Sequence, residues 1–268
     1  MSVNLFSSIN NFEERLFEAV DFRYPHSDEL KIYHNNSILP IYPLLKYEQQ
    51  KKINEFKLLD SIYCFKIDDP QFKGIVENLE ISNLKSTEDL KKLIIERNNG
   101  YNILKKRFLK IFTKYQHEEE NYIHDLYIGS PNQITTTIEF DKKCGLHYDN
   151  WGRLPISQLE KAQNRICINL GKGHRYFIYI NKTIFEMREE LIQIDKKFIE
   201  IEDSNELGQF YFKIISPLNY KIIFFKLEPF EGYIAPTENI MHDGSNFDSK
   251  FVDIQFTARG LFSPNLIK

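Results

Sequence analysis

His147 and Asp149 stand two residues apart in the stretch Gly145-Leu146-His147-Tyr148-Asp149-Asn150-Trp151. Side chains on an extended backbone alternate with period two, so both project to one side and both can hold one metal ion. A second stretch far downstream, Asn239-Ile240-Met241-His242-Asp243-Gly244, offers His242 as a third ligand. Two histidines and one carboxylate on one face leave open positions on a non-haem Fe(II) ion for oxygen chemistry. Each stretch alone reads as an ordinary polar turn, and His-x-Asp arises easily by chance, so the reading rests on the elements around it.

Those elements are strands. Gln133 to Phe140 alternates Ile134, Thr136, Ile138 and Phe140 against polar neighbours and runs into the His147 stretch. Asn164 to Leu170 places Arg165, Cys167 and Asn169 opposite Ile166, Ile168 and Leu170. Strand-length pieces follow at Arg175 to Asn181, Gln209 to Ile215, Lys221 to Lys226, Gly232 to Ala235 and Phe251 to Thr257, with a short helix expected over Thr183 to Leu191. The first 120 residues read differently. Amphipathic helices are expected over Ser7 to Val20, Leu44 to Phe56, from Ser86 with its capping-box sequence, and over Tyr101 to Tyr115. Loops with an edge strand are expected between Asp21 and Pro43, and a strand over Leu58 to Ile67. Helices followed by many short strands predict an α+β plan with a β-sandwich or jelly-roll core, in which strands distant in sequence meet around one cavity.

The chain of 268 residues suits one catalytic domain over 1–268, with a mainly helical support region at 1–125 and the strand core at 126–268. A net charge of -3 gives no general pull toward nucleic acid. Three cysteines without paired short spacings argue against a disulfide framework or Cys-ligated zinc. No signal peptide and no run of 18 apolar residues is visible, so a soluble cytoplasmic protein without a membrane partner is expected, as monomer or homodimer.

His-x-Asp at a strand end, a distal His and an Arg on the following strand resemble the Fe(II)/2-oxoglutarate-dependent oxygenases, whose core is a double-stranded β-helix of the cupin-like jelly-roll type. The matching positions are His147, Asp149, His242 and Arg259, and the similarity spans roughly residues 133–262. The resemblance implies Fe(II) on the first three, with 2-oxoglutarate and O₂ as cosubstrates. Arg259 would grip the distal carboxylate of 2-oxoglutarate, a task suited to a planar guanidinium. Thr257 shares its face and is a second donor. Arg259 comes seventeen residues after His242, longer than many family members show; if a loop from Asp243 to Lys250 does not absorb the excess, Lys250, Arg165 with its face-mate Asn169, or Arg175 takes the role.

With a carboxylate at Asp149, where the halogenating branch of that family has a small residue, the resemblance implies oxygenation and not halogenation, and hydroxylation of an unactivated C–H as the commonest outcome. Asn150, Trp151 and Arg153 are candidates to contact substrate at the pocket mouth, and Thr135 and Thr137 to line the cavity. The expected substrate is a small polar metabolite such as an amino acid or natural-product precursor. A peptide or protein side chain is the second version, and a catalytically silent jelly-roll that binds a ligand or partner is the alternative of a different class.

Overall fold

The computed structural model describes residues 3–19, 21–41, 44–47, 57, 59–112, 124–139, 141–215 and 219–264. Six short strands open the chain: β1 (Asn4–Ser7), β2 (Leu16–Ala19), β3 (Phe22–Arg23), β4 (Tyr33–Pro40), β5 (Leu44–Lys46) and β6 (Ser61–Lys66). Helices α1 (Pro70–Asn78), α2 (Thr87–Glu96) and α3 (Asn98–Phe112) follow. The second half holds β7 (His124–Gly129), β8 (Ile138–Glu139), β9 (Lys142–Gly145), β10 (Asn164–Asn169) and β11 (Arg175–Thr183). Helices α4 (Ile184–Ile194) and α5 (Ser204–Ile214) precede β12 (Ile222–Leu227), β13 (Glu231–Ala235), β14 (Ile240–Ser245) and β15 (Asp253–Gly260).

One sheet has the order β1-β6-β13-β10-β15-β7, a second β14-β11-β12-β2-β5, and a small third β3-β4-β9-β8. Between β10 and β15 the chain crosses repeatedly from one large sheet to the other. Cys167 and Tyr233 of the first sheet therefore share an apolar cluster with Phe177, Tyr179 and Phe225 of the second. The outward residues of β10, Ile166 and Ile168, pack with Phe256 against α1 and α3, where Phe108 stacks on Phe256 at 3.6 Å between ring centroids. Helices α4 and α5 cover the other sheet through Met187, Leu191, Leu207 and Tyr211. No helix among the described residues is long and apolar enough to cross a membrane.

Several expectations need correction. The first 125 residues do supply α1 to α3, but β1, β2, β5 and β6 extend both large sheets, so this region is not mainly helical. Ser7 to Val20, whose last residue lies outside the described ones, is not an amphipathic helix: only Phe12–Arg15 forms a 3₁₀ turn, and Leu16–Ala19 pairs with β12, Leu16 opposite Phe225, a tertiary pairing that overrides the local periodicity. Leu44–Lys46 is likewise a strand paired to β2, and residues 48–56 lie outside the described ones. Gln209 to Ile215 is not a strand but mostly the second half of α5. Asp203 caps that helix by accepting from Glu206 N–H at 2.8 Å, and Ser204, Leu207, Gly208, Tyr211 and Phe212 form its buried stripe. Of Gln133 to Phe140, whose last residue lies outside the described ones, only Ile138–Glu139 among the described residues is ladder. Before it, Asn246 holds the segment, accepting from Gln133 N–H at 2.8 Å and donating to Ser130 O at 2.9 Å. Asn239 to Gly244 is no simple turn, since β14 begins at Ile240.

Candidate metal centre

Gly145 closes β9 with φ +71°, and a Cβ there would lie 2.6 Å from the Ile38 carbonyl oxygen. Only glycine fits without strain, and β4 can press against this backbone and accept from Leu146 N–H at 3.1 Å. The next residue is His147, which exchanges both backbone hydrogen bonds with His242 of β14, at 3.0 and 2.9 Å. Residues ninety-five positions apart are thereby set side by side, their rings 4.9 Å between centroids. Tyr148 points the opposite way into the α4–α5 core, and Asn205 of α5 accepts from its N–H (2.9 Å) and donates to its carbonyl (3.1 Å). That clamp fixes the faces of both His147 and Asp149. Asp149 is held further by its N–H donating to Thr237 O at 3.1 Å.

The ligand atoms of His147, Asp149 and His242 lie within 4.8 Å of one another. Each imidazole Nε2 is 3.8 Å from Asp149 Oδ1. Nδ1 of His147 donates to Gly145 O at 2.7 Å and Nδ1 of His242 to Ile240 O at 3.3 Å. A carbonyl can only accept, so the proton sits on Nδ1 in both rings and the Nε2 lone pair faces the carboxylate, the tautomer a metal requires. His242 Nε2 is buried without a hydrogen-bond partner. An orphaned buried acceptor of this kind costs stability unless something binds it, and the donor set fits a divalent ion.

Charge agrees with that geometry. Burial pushes the His242 imidazole well below its ordinary range, keeping it neutral. Burial alone would raise Asp149, but the Arg165 and Arg259 guanidiniums more than offset this and hold it below the usual carboxylate range. Arg165 Nη2 donates to Asp149 Oδ1 at 2.8 Å, and Arg259 Nη2 stands 2.9 Å from Oδ2. The face of Arg259 lies 4.2 Å from the Trp151 ring centroid, a cation–π contact. Its Nη1 donates to Glu238 Oε1 at 3.2 Å. Burial and the neighbouring Asp149 raise the Glu238 carboxyl, while Arg259 pulls the other way.

A cleft of about 1060 Å³ is lined by His147 and Asp149 of the triad, with His242 buried behind them. Asn150, Trp151, Arg153 and Thr137 line it, as does Arg165. Asn150 and Arg153 both adopt left-handed backbone (φ 38° and 49°), so the loop beyond Asp149 carries strain where strain is commonly functional. Trp151 is 62% exposed, leaving one ring face to the cleft. Thr135 is fully buried beside Asp243, whose carboxyl burial pushes up to about 7.

Other expected residues fall elsewhere. Thr257 Oγ1 donates to Ile166 O at 3.1 Å. Asn169 donates to Gly173 O and Leu227 O and accepts from Gly171 N–H, so its amide secures the turn after β10. Arg175 is buried with Asp253 at 3.2 Å and Cys167 Sγ at 3.0 Å, four positions along β11 from Tyr179, the partner of His242. Lys250 is exposed over the Phe251 ring. Glu238 and Asn205 are the residues that sequence reasoning misses. Both sit in polar stretches without a pattern of their own, and only the fold brings them to the ligands.

No family model and no curated protein matches the chain. Two solved structures align with it, each over 75% of this chain and 79% of the other. One is the apo form of the Kdo hydroxylase KdoO, a non-heme Fe(II) alphaketoglutarate dependent dioxygenase, at 15% identity and a TM-score of 0.37. The other is the same hydroxylase in complex with succinate and Fe(III), at 14% identity and a TM-score of 0.36.

Proposed function

We propose that this chain is a non-haem Fe(II)/2-oxoglutarate-dependent oxygenase, one catalytic unit that hydroxylates an unactivated C–H of a small polar metabolite such as an amino acid or natural-product precursor. The observation that carries the proposal is the convergence of His147, Asp149 and His242 with both Nε2 lone pairs turned to one carboxylate and the His242 nitrogen otherwise unpartnered. The order β13-β10-β15-β7 facing β14-β11-β12, with the His147 bridge on the free side of β14, supports a double-stranded β-helix for the core. The three cysteines form no disulfide and two of them are buried, which suits a reducing cytoplasmic setting.

The charges support the cosubstrate. Asp149 and Glu238 balance Arg165 and Arg259, so a divalent ion leaves an excess of two positive charges in a largely buried site. A dianion such as 2-oxoglutarate restores neutrality, whereas a neutral ligand does not. Once Asp149 turns to a metal, Arg165 and Arg259 have guanidinium edges to offer a carboxylate, and Thr257 stands on the same strand face as Arg259. When bound, iron and 2-oxoglutarate would supply oxidation by O₂, 2-oxoglutarate losing its C1 carboxylate as CO₂ to become succinate, with one oxygen atom of O₂ going to succinate and the other into the substrate C–H bond. The chain's own groups orient the ligands, hold the His242 imidazole neutral, and place the loop from Asn150 to Arg153 at the cleft mouth. The cleft volume exceeds what a free amino acid fills, and this favours as second reading a peptide side chain entering from the mouth.

The direct assay is O₂-dependent conversion of 2-oxoglutarate to succinate with Fe(II), screened over amino-acid and peptide pools. His147→Ala, Asp149→Ala and His242→Ala are each expected to lower turnover by at least about 10²-fold. Succinate formation that survives all three in folded protein would exclude the assignment.

A further inference from the structure

Among the described residues, the ion pairs of Arg165 and Arg259 reach two carboxylates, Asp149 and Glu238. Asp149 is a ligand; Glu238 is not. Glu238 is 4% exposed, and its Oε1 accepts from the Trp151 backbone N–H at 3.1 Å as well as from Arg259 Nη1 at 3.2 Å. A buried oxygen that takes two donors, one of them cationic, is matched to a carboxylate anion. The other edge of the same guanidinium stands 2.9 Å from Asp149 Oδ2, and its face lies against Trp151. Glu238 is therefore one guanidinium removed from the metal ligand. It sits in the turn before β14, next to Thr237, whose carbonyl accepts from Asp149 N–H.

Resting on the metal reading of the site, we infer that Glu238 is a positioning residue which acts through Arg259 on both ligands of the centre, favouring the cation at the triad and opposing the anion beside it. In the metal-free site Asp149 is gripped by two guanidiniums, and a divalent ion must compete with them. Glu238 holds Arg259 by its Nη1 edge, so the guanidinium has a counter-charge whether or not Asp149 turns away. Its negative charge also offsets that of Arg259 as seen by an incoming cation. The same charge repels a dianion and keeps Nη1 from it. Two affinities should thus respond to Glu238 with opposite sign, which a purely structural role would not produce.

Trp151 is the only tryptophan and lies on Arg259, so its fluorescence is a built-in reporter. Mn(II) is titrated into wild-type protein, Glu238→Gln and Glu238→Asp, and 2-oxoglutarate is then titrated under argon at saturating Mn(II). Glu238→Gln keeps the shape and removes the charge; it is expected to weaken Mn(II) by on the order of tenfold and to tighten 2-oxoglutarate several-fold. Glu238→Asp, which keeps the charge, should restore most of the metal affinity. In an Arg259→Gln background the effect of Glu238→Gln should shrink. Equal constants for wild type and Glu238→Gln, or a loss in both affinities, overturn the inference while leaving the metal site standing. Wild-type protein that binds no Mn(II) overturns the functional reading and this inference with it.

Discussion

At the scale of single residues, the chemistry depends on protons being in the right place. His147 and His242, the candidate ligands, both have Nδ1 tied to a backbone carbonyl two residues back in the chain, an arrangement that the period-two spacing of a strand makes natural. The three cysteines show the opposite situation. Cys64 and Cys167 are fully buried and burial raises both thiols, so neither offers a thiolate, whereas Cys144 is partly exposed beside the cleft. Native protein should accordingly give one fast-reacting thiol per chain with an aromatic disulfide reagent and three after unfolding. Two or more fast thiols in native protein would show that the inner face of the large sheets is open. The convergence of His147, Asp149 and His242 as candidate ligands is legible in the sequence, because residue type and spacing are local. Glu238 and Asn205 were not, because a turn glutamate or a helix asparagine acquires its role only from what the fold sets against it.

At the scale of elements, the site hangs on how β4, β9 and β14 meet. Gly145 is the joint: its left-handed backbone and the Ile38 carbonyl leave no room for a side chain. Gly145→Ala should cost about 1–3 kcal/mol and weaken divalent-metal binding more than Gly173→Ala, whose added methyl meets mainly the Ser249 and Phe251 side chains far from the ligands. Thermal unfolding together with metal titration checks both halves, and unchanged metal affinity would mean that the β4–β9 contact does not set His147. Elements with local start signals were readable. Ser86 caps α2 by accepting from Asp89 N–H, and Thr183 and Glu186 form a capping box at α4. Leu16–Ala19 and Gln209 to Ile215 misled because a four- to seven-residue apolar run fits either period. A strand partner decided the first and the Asp203 cap the second.

At the scale of the molecule, two large sheets face one another across an apolar cluster, each covered outside by helices, and the candidate ligands come from β14 and from the segment that bridges it. The sequence carried the strand-rich second half and the meeting of distant segments. It did not reveal that the N-terminal strands widen both sheets, since strands of three to six residues carry little periodic signal. The central claim is that this scaffold presents His147, Asp149 and His242 to one Fe(II) ion with room beside it for a chelating 2-oxo acid. Anaerobic titration of Fe(II) with 2-oxoglutarate, followed by visible absorption, tests it most directly. A weak charge-transfer band that requires both components, saturates at one iron per chain and is lost in His147→Ala is the expected result. Folded wild-type protein that gives no such band, or a band unchanged in His147→Ala, would contradict the account.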